Sequence, residues 1–219
     1  FTSKPNLVPK KTKMRTQLKT LVAALAIAGA TVMPTTASAV SVGLELLLLT
    51  DVSGSVDANE YALQKTGYAN AFNSAAVQNA ITATPGGIAV YYGEWSGASQ
   101  QATMVGWTHI TNATQASAFA TALAGTSRSF SGQTAPGSAL NWAYPLFNSN
   151  GFEGLREVID VSGDGSQNDG ANTAAARAAA LAAGVAAING LPIGGGATLV
   201  HWYTNNIQGG AGSFTLAAD

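Results

Sequence analysis

At 219 residues with 47% hydrophobic content, the chain is long enough to bury one core of ordinary domain size and leaves little room for a second domain. The formal charge of −1 hides an asymmetry: from Val40 onward only Lys65, Arg128, Arg156 and Arg177 oppose eleven acidic residues, a local charge of −7. So acidic a domain repels polyphosphates, which excludes nucleic acid as a natural partner, whereas a cation is welcome. The absence of cysteine excludes a disulfide framework, a thiolate metal site, a cysteine nucleophile and a lipid-modified cysteine together.

Residues 1–13 precede Met14 and read as upstream sequence that is not native to the protein. Met14-Arg-Thr-Gln-Leu-Lys19, the apolar run Leu21 to Ala30, Pro34 and Ala37-Ser38-Ala39 then follow in the order of a secretory signal peptide, so residues 14–39 are expected to be removed after Ala39. The apolar run is shorter than the roughly 20 residues that span a bilayer, which sets a retained membrane anchor behind an exported periplasmic, secreted or surface protein. Residues 40–219 are expected to form one domain, without a transmembrane segment.

Within that domain, apolar strand-like runs alternate with helical patterns, which predicts a doubly wound, mostly parallel α/β sheet with helices on both faces. Leu44 to Thr50 shows no polar alternation, as a central strand buried on both sides requires. Asp57 and Glu60 form a helix-entry box, and Tyr61, Ala62, Tyr68, Ala69 and Phe72 recur at helical spacing behind it. Strands are expected at about 87–95 and 102–108, a helix at 112–123, and a small polar loop at 125–132. Pro136 suits the first turn of the next helix. A buried strand at 156–162 precedes an Ala-rich helix at 172–183 closed by Gly184. A short strand at 185–188, a segment at 198–203 open to either helix or strand, and a last strand at 213–218 complete the pass. The fold leads one to expect a further covering helix after Asp219.

Three segments carry oxygen donors. Thr50-Asp51-Val52-Ser53-Gly54-Ser55 leaves the first buried strand, Gly132-Gln-Thr134-Ala-Pro136 enters a helix, and Asp160-Val-Ser-Gly-Asp164-Gly165 leaves a second buried strand. One carboxylate and two hydroxyls at alternate positions in a tight turn can aim hard oxygen atoms at one point, which suits Mg²⁺, with Mn²⁺ or Ca²⁺ as alternatives. Asp and Ser are also ordinary turn residues, so the weight lies in three separated segments agreeing. Strand carboxyl ends at the point where strand order reverses are where open α/β sheets bind ligands.

Asp51-x-Ser53-x-Ser55, the later Thr134 and Asp164 resemble, in order and spacing, the metal-ion-dependent adhesion site of von Willebrand factor type A domains. The resemblance covers about residues 43–219, and Glu94-Trp95-Ser96-Gly97 and Ile188-Asn-Gly-Leu-Pro192 look like an uncharacterised bacterial exported branch of that superfamily. It implies that Ser53, Ser55 and Thr134 offer hydroxyl ligands while Asp51 and Asp164 bind the ion directly or through water. It further implies an adhesion-type module that captures a carboxylate of a protein or other ligand. A structural or chaperone-like module in which the ion only stiffens loops is the second reading, and a metal-assisted hydrolase the third.

Other residues carry less. Asp160, inside a buried strand, reads either as an acceptor orienting a ligand or as a hydrogen-bonded buried acid. Glu94 and Trp95 read as strand-end packing, Ser166 and Asn168 as turn formers, and the four tryptophans as packing residues. His109 and His201 lack the spaced partners of a zinc site. There is no Gly-x-Ser-x-Gly elbow, no Gly-x-Gly-x-x-Gly after the first strand, and Ser53 stands where an aspartyl phosphatase would place its second carboxylate.

Overall fold

The computed structural model describes residues 1–2 and 38–218 and divides into the units Phe1–Thr36 and Ala37–Asp219; every element below belongs to the second. Apart from Ser38 and Ala39, the expected signal peptide lies outside the described residues. A short strand β1 (Val40–Val42) leads into β2 (Leu44–Asp51), which pairs in parallel with β3 (Ile88–Trp95) on one side and β6 (Glu157–Gly163) on the other. The leucine run explains this central position: Leu47, Leu48 and Leu49 are at most 1% exposed, with one face turned to each helical layer. Each such side chain removed from water contributes roughly 1.5–3 kcal/mol.

Outward from β3 lies the antiparallel edge strand β4 (Gln101–Ile110); outward from β6 lie the parallel β7 (Ala187–Pro192) and the two-residue β8 (Gly209–Gly210). Two register shifts in the β3–β4 pairing bend that edge, as bulges do where a strand would otherwise invite another chain. A separate pair joins β1 to β5 (Phe152–Gly154). The expected last strand is realised as single bridges, Gly190 to Thr215 and Ile193 to Ala218, along the outer side of β7.

Helices α1 (Ala58–Asn73), α2 (Ala75–Ala83) and α3 (Ala113–Ala124) cover one face through Phe72, Ile81 and Phe119. Helices α4 (Pro136–Ala143), α5 (Thr173–Ala182) and α6 (Gly196–Asn206) cover the other through Leu140, Ala176, Ala180, Leu199 and Tyr203. The entry signals hold at atomic level: Asp57 Oδ1 accepts from the Asn59 and Glu60 amides, and Glu60 Oε2 accepts from the Asp57 amide at 2.8 Å. Two local readings are refined. Helix α2, which the sequence pattern does not announce, starts where Ser74 ends α1 and caps the next helix. The ambiguous segment 198–203 is helical, and its buried Leu199 and Tyr203 sit four residues apart on one face.

From β2 the chain crosses through α1 and α2 to β3, whereas from β6 it crosses through α5, on the opposite face, to β7. The strand order therefore reverses between β2 and β6, and a crevice opens at their carboxyl ends.

Candidate metal centre

Asp51 is the last residue of β2 and is fully buried. Its carbonyl accepts from Gln64 Nε2 of α1 at 3.0 Å, and Gln64 Oε1 accepts from Ser162 Oγ of β6 at 2.6 Å, so one glutamine fastens both strands of the crevice. Asp51 Oδ1 accepts the Ser53 amide at 2.7 Å, which curls the chain into the turn. The Ser53 and Ser55 hydroxyls then lie 3.2 Å apart, and Ser55 Oγ donates to Asp164 Oδ1 at 2.9 Å, joining the ends of β2 and β6. The Gly54 amide donates to Gly132 O at 2.7 Å, and a Cβ on Gly54 would lie 3.3 Å from that oxygen, so glycine allows the two loops to meet closely.

Thr134 is 3% exposed, two residues ahead of α4. Its amide donates to Asn168 Oδ1 at 2.8 Å and its carbonyl accepts the Asn168 and Asp169 amides, so the Thr134 loop is laced to the loop after Asp164. Its hydroxyl lies 3.8 Å from the place a Cβ on Gly165 would take. Four of the five expected residues are thus linked by hydrogen bonds, and Thr134 joins them through backbone contacts with the Asp164 loop.

Burial dominates the electrostatics. It pushes the Asp51 carboxyl up to about 7, an effect that Asp164's charge adds to and that the Ser53 bonds and Arg128 oppose. Asp164 is raised in the same direction, again chiefly by burial. The four described basic residues donate to main-chain carbonyls: Lys65 to Thr126, Arg128 to Val52, Ser53, Val56 and Phe130, Arg156 to Ala211, Arg177 to Asn205 and Gln208. Asp51 Oδ2 is buried with no hydrogen-bond partner. Two carboxylates and three neutral hydroxyls, with one carboxylate oxygen unpartnered, fit a hard divalent cation. Among the described residues no group of three His, Cys, Asp or Glu side chains could hold a metal.

The sequence pattern missed several supports. Asn168, expected to form only a turn, is the partner of Thr134. Arg128 clamps the loop that follows Asp51: Nη1 reaches Val56 O at 2.9 Å and Nη2 reaches Val52 O at 3.0 Å, while Nε bonds Phe130 O of its own loop. Its isolation as the one basic residue of the 125–132 loop is the only hint the sequence offers. Arg128→Ala is expected to lower stability in EDTA by about 2–3 kcal/mol, because buried carbonyls lose a charged donor. Arg128→Lys should recover only part of this in urea unfolding, since a point charge cannot fork.

Glu94 is buried and accepts from Tyr61 Oη and the Ser129 amide, each at 2.8 Å, a structural role that props the neighbouring loop. Trp95 is fully buried in the core. Asp160, pushed up to about 6 by burial, accepts from Asn189 Nδ2 at 2.7 Å. It alternates with Ile159 and Val161, which face α4–α6, so it points to the sheet face away from Asp51 and is a hydrogen-bonded, half-buried acid. His109 bonds Gly86 O and His201 bonds Asn205, both outside the crevice.

Known structures share this architecture. Proximal thread matrix protein 1 from the mussel byssus, solved with a zinc-occupied MIDAS motif, is 19% identical, with a TM-score of 0.60 over 83% of this chain and 43% of that one. An aerotolerance-related membrane protein from Bacteroides fragilis is 19% identical, with a TM-score of 0.53 over 81% of this chain and 92% of that one. A von Willebrand factor type A protein from Catenulispora acidiphila is 15% identical, with a TM-score of 0.56 over 82% of this chain and 39% of that one. The chain therefore spans less than half the length of the mussel and Catenulispora proteins. No curated protein matches it in sequence. Residues 41–219 match the family described as "Protein of unknown function (DUF1194)", so the chain belongs to that family, and its fold is that of the von Willebrand factor type A domain.

Proposed function

We propose that the protein is an exported binding module that holds a divalent cation between Asp51, Ser53, Ser55, Thr134 and Asp164 and uses it to capture a carboxylate of a protein or other acidic ligand. The observation that carries this reading is the unpartnered, buried Asp51 Oδ2 beside the Ser53–Ser55–Asp164 chain, at the crevice where strand order reverses. Hydroxyl ligands add no charge, so the ion keeps its electrophilicity and an open position for a ligand oxygen. The mechanism is coordination, with no bond made or broken in the ligand. The mussel protein's zinc-occupied motif supports a divalent ion, and hard oxygen donors favour Mg²⁺ or Mn²⁺ over zinc here. Export is inferred from the signal-peptide pattern expected at residues 14–39; no helix among the described residues is long and apolar enough to cross a membrane.

Thermal melts of the chelated chain test the site. Mg²⁺ or Mn²⁺ at about 100 times Kd should stabilise it by about 2.7 kcal/mol, roughly 5–10 °C in Tm for a domain of this size. Identical melts in EDTA and in excess Mg²⁺, Mn²⁺, Ca²⁺ or Zn²⁺ would remove the ion from the account. Capture is tested by incubation with cell-surface extract in Mg²⁺ and elution by EDTA, with Thr134→Ala expected to lose the eluted protein. A metal response with an empty eluate would favour the reading in which the ion only stiffens loops.

A further inference from the structure

Tyr203 approaches the crevice from the α4–α6 side of the sheet, the side to which Leu47, Leu49 and Asp51 also turn. It projects from α6, is fully buried, and its Oη has no hydrogen-bond partner. Its place is made by two glycines on adjacent strands. A Cβ on Gly190 of β7 would stand 3.0 Å from Tyr203 Cδ1, and a Cβ on Gly163 of β6 would stand 2.7 Å from Tyr203 Oη. The same point above Gly163 lies 2.6 Å from Asp51 Oδ2, which is also buried without a hydrogen-bond partner. Two strands therefore give up side chains so that a phenol can lie across the sheet and bring its hydroxyl to the back of Asp51.

A packing role alone does not explain this arrangement. Phenylalanine would fill the same trough without burying a polar atom, and each unsatisfied buried group costs about 1–3 kcal/mol. Unpartnered groups of this kind call for a functional account. The chemistry of the pair is complementary: Asp51 Oδ1 is already taken by the Ser53 amide, an ionised Oδ2 only accepts, and a phenol can donate. A carboxylate that serves a metal is commonly oriented by such an outer donor, whose removal lowers affinity about 10–100-fold.

We propose that Tyr203 is a positioning residue of the metal centre: its hydroxyl, brought over Gly163 beside Asp51 Oδ2, orients the ionised Asp51 carboxylate for the cation, directly or through one enclosed water. The inference rests on the metal-site reading above. Without the donor, the carboxylate rotates about the bond that the Ser53 amide holds and presents its free oxygen less well to the ion.

The test compares full-length wild type and Tyr203→Phe after chelation, by calorimetric titration with Mg²⁺ and by the electron paramagnetic resonance spectrum of bound Mn²⁺. Tyr203→Phe should bind Mg²⁺ about 10-fold more weakly. It should also broaden the Mn²⁺ spectrum, while its Tm in EDTA stays equal to or above that of wild type, because an orphan hydroxyl has been removed and the ring retained. Equal Mg²⁺ affinities with superimposable Mn²⁺ spectra would overturn the proposal. So would a lower Tm in EDTA with unchanged affinity, which would make Tyr203 a packing residue only. Wild type that binds neither Mg²⁺ nor Mn²⁺ would overturn the metal-site reading itself, and this inference with it; that outcome differs from equal binding by both proteins.

Discussion

Asp51→Asn is expected to abolish the response to Mg²⁺ and, in EDTA at pH 8, to melt above the wild type. The second half follows from burial. The folded carboxyl titrates at about 7 against 3.8 when unperturbed, chiefly because desolvation opposes its charge. Between those values the folded state holds more protons than the unfolded one, so wild-type stability falls as pH rises from about 4 to 7, and the full penalty is present above it. At about 1.4 kcal/mol per pH unit, relief of that penalty is worth on the order of 2–4 kcal/mol. Asn keeps an oxygen for the Ser53 amide, so the turn survives. Asp160, pushed up to about 6, contributes a slope of the same sign, but equally to both proteins. The difference between the two should therefore vanish near pH 4 in EDTA. Excess Mg²⁺ at pH 8 should reverse their order, since only wild type binds it. Because a proton competes for the same carboxylate, the wild-type Mg²⁺ affinity should drop about tenfold for each pH unit below 7. Melting curves across pH with and without Mg²⁺ decide the matter: an Asn variant still stabilised by Mg²⁺ would show that Asp51 is not a ligand, and equal melts in EDTA at pH 8 would show that its charge is not confined by burial.

The division between what sequence reasoning reached and what it missed has a physical basis. Strand β2, the Asp57–Glu60 box, Pro136 at the start of α4 and the Ala-rich α5 are local consequences of local residues, and periodicity or capping announces them. The Asp51-x-Ser53-x-Ser55 turn is legible for the same reason, because its hydrogen bonds stay within a few residues. The Ser55–Asp164 bond spans 109 positions and could be anticipated only through the order of motifs along a known kind of sheet. Arg128, Asn168 and Tyr203 left no such trace. Arg128 and Asn168 bond mainly to backbone carbonyls and an amide, which any sequence supplies, and Tyr203 reaches the site from a segment whose secondary structure was itself ambiguous. Helix α2 escaped because Ser74 caps it directly from the end of α1, leaving no loop to mark a boundary.

Gly163→Ala is expected to damage both the fold and the Mg²⁺ response. The added Cβ would sit 2.6 Å from Asp51 Oδ2, 2.7 Å from Asp51 Cβ and 2.7 Å from Tyr203 Oη. Both neighbours are fully buried, one held by the Ser53 amide and the other wedged over Gly190, so neither can withdraw like the end of a surface side chain. Overpacking of a filled core typically costs 1–3 kcal/mol; with two clashes at once about 3 kcal/mol or more is expected, together with loss of the Mg²⁺ response as Asp51 is displaced. Gly165, two residues on, is the control. A Cβ there would meet nothing closer than Thr134 Cγ2 at 3.7 Å, an ordinary contact, so Gly165→Ala should unfold in urea within about 0.5 kcal/mol of wild type. Adding Tyr203→Phe to Gly163→Ala removes one of the clashing oxygens, and the pair should recover about 1 kcal/mol relative to the sum of the single changes. Strict additivity in that cycle would mean that the methyl group and the phenol do not compete for the space behind Asp51, and that the trough across Gly190 and Gly163 is not what seats Tyr203.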